Sequence, residues 1–586
     1  MNGIWNLDVI YRGFTDPQYA LDMQALEENL QAFDAFTKKL TYDCDVLSSL
    51  REAVLLQEKI SVLVEKLATY ANLRQAANTK DPEAGSQMGR ILTLYSGVAA
   101  PQAAFESWAS ALPNLMELVE QDEILREYRF LFTNMRENSS HLLPGLGEEI
   151  MAKMAISGSG AWSDLHGYLT STVPVMYRGQ KINLSAVRNL AYDPDPQVRK
   201  DALEAELACY ERIEASAAFA LNSIKLETLT DCELRGYGSP LERTLKQYHM
   251  SRKTLDAMLS AMEQYMPKFR AYLKGKAKAL GHEKGLPWYD LFAPMGAVSS
   301  KLTAEDARAY LVQVFSGFDK ELADMIAEAF DNEWIDFYPR DGKTGGAFCA
   351  EVQSIGQSRV LTNFDGAFTD IVTLAHELGH AFHNRCIQDH RPLNQDYSLP
   401  LAETASTFNE CVVMAAAIRD AKDPQEKLAL VESQLQDATQ IICEIYSRYM
   451  FETAVFDRRA GEFMPADTLC QMMIDAQKAS YGDGLDESCM HPYMWVCKSH
   501  YYGPTFYNFP YAFGGLFARG LYARYEQEGE SFIPKYKNLL KTTPLACAED
   551  VAKVADIDLT DVKFWMDGLQ TIADQIDLFL MEAKNE

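Results

Sequence analysis

The sequence predicts a mainly α-helical protein carrying one small antiparallel β-sheet. Two observations carry the helical part. Apolar residues recur at helical spacing through most of the chain, and no repeat of fixed period or low-complexity tract interrupts them. A third observation carries the sheet: one short region between 334 and 364 departs from helical periodicity toward aromatic and β-branched alternation.

Residues 50–73 show the helical pattern most plainly. Leu56, Ile60, Leu63, Leu67 and Tyr70 follow one another at spacings of 4, 3, 4 and 3, which is one apolar stripe on a helix facing a core. Similar stripes run through 86–120, 197–230, 252–282, 303–330, 426–458 and 560–583. Loops are marked by Ser157 to Gly160, by Gly238 to Pro240 and by Gly285 to Pro287, and Asp193 to Pro196 reads as a turn into a helix. A lobe boundary is expected near 190. It divides an N-terminal helical lobe, 1–190, from a catalytic region, 191–586. The sheet is expected from Trp334–Tyr338, Ala347–Ala350 and Arg359–Phe364, with a turn at Pro339 to Gly342.

Composition limits the function. The 586 residues include 55 Lys and Arg against 83 Asp and Glu, a net charge of −28. A nucleic-acid binder needs a basic stripe, and an anionic membrane surface would repel this chain. Neither is an expected partner. The 11 cysteines are odd in number and form no CxxC pair, which suits a reducing compartment better than a disulfide framework. No basic start followed by an apolar run opens the sequence, and no apolar stretch reaches membrane-spanning length. A cytoplasmic protein, monomeric or a small homo-oligomer, is the expectation.

The chemistry concentrates in one helix. His376-Glu377-Leu378-Gly379-His380 is an HExxH, uncommon by chance in a chain with 10 histidines. Residues i and i+4 share a helix face, so His376 and His380 can both point at one ion. Glu377 lies one position on and can reach a water beside that ion. The alternative is a surface helix with two solvated histidines. The flanking Ile371, Val372, Leu374, Ala375, Leu378, Ala381 and Phe382 argue against it, because buried histidines need something to satisfy them. Zinc fits imidazole and carboxylate donors, one ion per chain. Asp370 is placed to cap the helix. His383 breaks the metzincin spacing, which requires Gly there, and is expected to pack or support rather than to ligate; His390 is also nearby. Glu403 follows His380 by 23 residues, enough for a loop and a returning helix, and is assigned as third ligand. Glu410, two turns further, is placed to fix a ligand histidine's tautomer.

These residues resemble the thimet oligopeptidase and oligoendopeptidase F metallopeptidases. The HELGH helix and the Glu403, Ser406, Glu410 segment carry the likeness. So do Gly346 to Cys349, Asn363-Phe364, Trp162 to Ser171 and Tyr248 to Met250, which point to the oligoendopeptidase F branch. The resemblance implies an elongated helical fold with zinc in a deep central channel, and hydrolysis of internal bonds in short peptides. It also implies that His500, Tyr507 and Tyr511, in the stretch 500–515, bind the substrate carbonyl and oxyanion, with Tyr501 and Tyr502 as framework.

The expected mechanism is attack by a zinc-bound water that Glu377 deprotonates, Glu377 then passing the proton to the leaving amine. Zinc and a tyrosine hydroxyl stabilise the oxyanion, with His500 assisting. The strand near Gly345–Phe348 is a candidate docking edge for the peptide. Gly503-Pro504 and Gly514-Gly515 are candidate hinges of a lid. Two other functions remain open. A zinc carboxypeptidase or dipeptidase would need a basic clamp, for which Arg359, Arg385 and Arg519 are available. A non-catalytic zinc-containing peptide-binding protein would be expected to have lost the base or the oxyanion donors.

Overall fold

Asp-Pro steps start four of the long helices in the computed structural model. Asp16, Asp81, Asp195 and Asp423 each accept a hydrogen bond from a first-turn N–H, and the proline that follows needs no partner there. The structure describes residues 3–43, 45–296 and 301–583; Cys44 lies outside them, and the described cysteines form no disulfide with one another. No described helix is long and apolar enough to cross a membrane.

The chain forms two compact units, each assembled from three separated segments. The first comprises Met1–Ser140, Ser299–Val413 and Arg524–Ile557; the second comprises His141–Val298, Met414–Ala523 and Asp558–Glu586.

In the first unit, the helix Val46–Ala77 carries the expected stripe. Ile60, Leu67 and Tyr70 are buried, and Leu56 and Leu63 pack half-buried on the same core with Leu26, Phe33, Phe105 and Phe132. The core extends to Val352 and Leu361 of the sheet. In the second unit, Arg252–Ala279 packs along Val562–Glu582, with Tyr272 edge-on to Phe579 at 5.1 Å.

Among the described residues, two sheets interrupt the helices. In the second unit, β1 (Val175–Tyr177) and β2 (Gln180–Ile182) make an antiparallel hairpin that the helical stripes did not announce. In the first unit, β3 (Ile335–Asp336), β4 (Phe348–Val352) and β5 (Gln357–Leu361) lie in the order β3-β5-β4. β4 and β5 are antiparallel, Phe348 opposite Leu361 and Val352 opposite Gln357. β3 runs parallel to β5, with Ile335 opposite Val360, so the sheet is mixed rather than purely antiparallel. Successive strands reverse direction, so the first and third run the same way; placed side by side, they must be parallel. Lys343 secures the crossing from β3 to β4. Its buried ammonium sits 2.7 Å from Asp336 Oδ1 and donates to the carbonyls of Asp336, Tyr338 and Thr362.

Candidate active site

The HExxH lies mid-way along the helix Phe368–Ile387. Asp370 caps it from the third helical position: its Oδ2 accepts from the N–H groups of Asp365, Gly366 and Ala367 at 2.8–3.0 Å. A carboxylate there also suits the positive end of the helix dipole. The returning chain forms Leu399–Ala402, bends at Glu403 and continues as Thr404–Asp420. The bend aims the Glu403 carboxylate at the two histidines.

Three donor atoms form a triangle. His376 Nε2 and His380 Nε2 are 3.2 Å apart, and Glu403 Oε2 lies 3.3 Å from the first and 3.5 Å from the second. A tetrahedral ion with ligands about 2.0–2.1 Å away has ligand–ligand edges of about 3.3–3.4 Å. The triangle is therefore one face of a zinc-sized tetrahedron, built from borderline donors of the kind zinc takes, and among the described residues it is the group that meets the geometry of a metal site. The donor side chains keep 18–34% of their surface exposed, which leaves a fourth position accessible.

Each donor is held by the segment 402–410. Glu410 Oε1 lies 2.5 Å from His376 Nδ1, which leaves Nε2 as the free donor of that ring. The backbone of Ala402 hydrogen-bonds His380, and Ser406 Oγ donates to Glu403 Oε2 at 2.7 Å. Asn409 donates to the carbonyl of Ala375, so the two helices are also tied by a side chain. Electrostatics follow the contacts. Burial disfavours the His376 cation, but hydrogen bonds to Glu403 and Glu410 outweigh it and raise its pKa to about 10. Burial alone dominates at His380 and lowers it to about 4. Burial would raise Glu403, but the histidines and Ser406 bring it down to about 2. Glu377 is 6% exposed; burial, with Glu403 and Glu410 nearby and His376 opposing, lifts its carboxyl to about 7. That is the range of a general base working near neutrality.

Sequence reasoning missed Gly379. A Cβ at this position would stand 2.6 Å from the Ala405 carbonyl oxygen and 2.6 Å from Ser406 Cα. The HExxH helix and the Glu403 helix touch backbone to backbone here, and only glycine permits it. The signal was present, a helix-weakening residue between the two histidines. His383 is fully buried, 2.8 Å from Thr543 Oγ1 and stacked on Tyr397 at 3.9 Å. It packs and takes no part in the triangle.

His500, Tyr507 and Tyr511 gather in the second unit. The His500 ring lies 5.4 Å from that of Tyr507 and 5.8 Å from that of Tyr511, whose hydroxyl is 3.5 Å from Nε2. Both tyrosines are more than a third exposed. Burial, with the cations of Arg448 and Lys498, lowers the pKa of the His500 imidazole. Tyr501 and Tyr502 are buried, and Tyr502 stacks on His166 at 3.5 Å. Tyr248 meets Phe509 edge-on, so the separate sequence motifs around 166, 248 and 500 converge on one cluster. The expected hinge at Gly514-Gly515 lies inside the helix Phe509–Glu528; Gly515 faces Ile441, whose Cγ2 is 3.0 Å from where a Cβ would be, so it serves packing.

Comparison with known proteins then decides the family. The model of peptidase family M3 matches residues 189–571, and that of the oligopeptidase F N-terminal region matches 113–173. The chain belongs to peptidase family M3. It is 24% identical to oligopeptidase PepF of Bacillus subtilis, over 95% of this chain and 83% of that protein. It is 24% identical to an oligoendopeptidase F homolog of Lactococcus lactis, over 96% of this chain and 94% of that one. Its fold matches a putative peptidase from Chlamydophila abortus with a TM-score of 0.84 at 20% identity, covering 99% of this chain and 98% of the other. It matches oligoendopeptidase-F from Enterococcus faecium with a TM-score of 0.72 at 18% identity, covering 97% and 99%. This M3 peptidase is a metallopeptidase of the oligoendopeptidase F branch, mainly helical with only small sheets.

Proposed function

We propose that this chain is a zinc endopeptidase that cleaves internal bonds of short peptides. The observation that carries the reading is the 3.2, 3.3 and 3.5 Å triangle of His376, His380 and Glu403. These three residues would hold the ion. When bound, zinc supplies Lewis acidity for the scissile carbonyl and acidifies a water toward neutral pH. Glu377 takes the proton of the attacking water and delivers it to the leaving amine; its raised pKa suits both halves of that transfer. His500 and the hydroxyls of Tyr507 and Tyr511 donate to the oxygen of the carbonyl as it gains charge. β4 is an edge strand and supports docking of an extended peptide by strand addition.

The endopeptidase reading is favoured over an exopeptidase by what the arginines already do. Arg359 is buried and donates to Asn6, Gln357 and Ser358, and Arg385 pairs with Glu328 at 2.8 Å. Arg359 and Arg519 are buried and Arg385 is held by Glu328, so none of the three is an accessible clamp for a peptide carboxylate. The linear division near 190 stays a proposal about chain segments, to be tested by limited proteolysis. A cytoplasmic location and one zinc per chain belong to the same reading.

The test is hydrolysis of an internally quenched peptide blocked at both ends. Internal cleavage that a chelator abolishes and zinc restores is expected. Cleavage restricted to unblocked peptides would replace the endopeptidase with an exopeptidase.

A further inference from the structure

The residues that carry Tyr507 have no regular structure of their own. Gly503 to Asn508 lie between the turn Ser499–Tyr502 and the helix Phe509–Glu528. A segment outside helix and sheet must find other partners for its backbone. Burial alternates along its second half: Phe506 and Asn508 are buried, and Tyr507 between them is 38% exposed. What fixes the exposed ring is therefore what fixes its two neighbours.

Those contacts converge on one buried ion pair within the second unit. Lys225, on the helix Glu214–Leu234, meets Glu452, on Ile445–Arg459, at 2.6 Å, and both side chains are fully buried. The Lys225 ammonium also donates to the Gly503 carbonyl at 3.2 Å and lies 4.7 Å from the centre of the Phe456 ring. Its three N–H groups thus have three partners. The other Glu452 oxygen, Oε2, accepts from Asn508 Nδ2 at 3.1 Å. Asn508 in turn receives the Tyr511 N–H on its backbone carbonyl at 3.2 Å. Between the two holds, the Phe506 N–H donates to buried Thr244 at 3.4 Å, and the Phe506 ring packs 5.2 Å from that of Phe456. One carboxylate ties the start of the segment, through Lys225, to its end.

Stability alone does not account for such a pair. Taking two charges out of water costs much of what their attraction returns, and apolar residues of similar volume are often at least as stable. Apolar residues cannot hold a carbonyl and an amide in set directions, which hydrogen bonds do. We propose that Lys225 and Glu452, acting with Asn508, are positioning residues for the Tyr507 hydroxyl. The proposal rests on the reading above, in which that hydroxyl donates to the carbonyl oxygen; the clamp itself is read from its contacts.

Two variants test it. Asn508→Leu removes one hold and leaves the ion pair in place. In the zinc-loaded enzyme kcat should fall at least about tenfold with little change in KM, because a misplaced donor weakens the transition state rather than the bound peptide. Hydrogen exchange, followed by mass spectrometry without substrate, should quicken at least about tenfold in 503–511 and keep the parent rate in the helix Ile445–Arg459. Lys225→Met combined with Glu452→Gln removes both charges together and keeps an acceptor for Asn508. Its Tm should stay near the parent's. Its kcat should still fall, and 503–511 should still exchange faster. Should Asn508→Leu not fold, this charge-free variant decides on the same measurements. Each change is then repeated on Tyr507→Phe. A residue that acts through the Tyr507 hydroxyl causes no further loss there, whereas general loosening multiplies with it. Parent kcat in either folded variant overturns the proposal. So do losses that multiply with Tyr507→Phe, or exchange that quickens along the whole chain. Those results leave the Tyr507 assignment standing if Tyr507→Phe alone lowers kcat. A silent Tyr507→Phe removes that assignment, and the proposal with it.

Discussion

The donor triangle of the first unit and the aromatic cluster of the second are built by opposite means. His376, His380 and Glu403 come from two consecutive helical segments, and every donor is held by a residue between 402 and 410. His500, Tyr507 and Tyr511 come from one short stretch, but what holds that stretch is remote in sequence. His166 stacks beneath Tyr502, Thr244 receives the Phe506 N–H, and Lys225 reaches the Gly503 carbonyl from the buried pair with Glu452. One group is rigid by local design. The other keeps two rings over a third exposed and depends on the whole second unit.

Substitutions sharpen this contrast, the largest effect first. Glu377→Gln should lower kcat by about 10²–10⁴-fold while zinc content by atomic absorption stays stoichiometric. Unchanged turnover would remove Glu377 from the chemistry. Tyr507→Phe should lower kcat by about 10²-fold with zinc affinity intact, because in the proposed mechanism its hydroxyl serves the oxyanion and not the ion. Loss of zinc in that variant would break the separation of the two groups. Glu410→Ala should do the reverse, weakening zinc by about 10–100-fold in a competition titration, since His376 loses the acceptor that fixes its tautomer. Gly379→Ala should cost about 1–3 kcal/mol in denaturant unfolding and weaken zinc with it, because the helices must part.

The smallest effect concerns pH. Burial, with the charge of Glu65, raises the Glu351 carboxyl on β4 from 4.5 to about 8. Between those values the folded chain keeps a proton that the unfolded chain releases, so stability falls as pH rises through that window. Glu351→Gln removes this loss. Its Tm should exceed the parent's by about 2 °C near pH 8 and match it at about pH 4.5. Equal Tm values at both would place Glu351 in a more solvated setting.

The sequence made the candidate metal site legible because a helix converts spacing into geometry. Four residues apart means one face, and Glu403 needed only room for a returning helix. The tyrosine cluster was legible as a motif through family likeness, but its supports were not, since no local pattern links 166, 244 and 500. The sheet shows the same limit. Alternation located three strands within a few residues, while the parallel placement of Ile335–Asp336 depends on which neighbour a strand chooses in space. Gly514-Gly515 read as a hinge because glycine is permissive; in the helix it makes room for Ile441.

The segmented construction of the two units has a consequence for synthesis. A ribosome delivers the chain from one end, and domains ordinarily close as soon as their last residue emerges. Here the first unit waits for Arg524–Ile557 and the second for Asp558–Glu586, so neither can close before residue 524 has been made. Helices opened by their own Asp-Pro caps can form during that wait, but His383 meets Thr543 only near its end. A nascent chain halted before residue 524 would hold His376, His380 and Glu403 in an unfinished unit, exposed to chaperones and proteases.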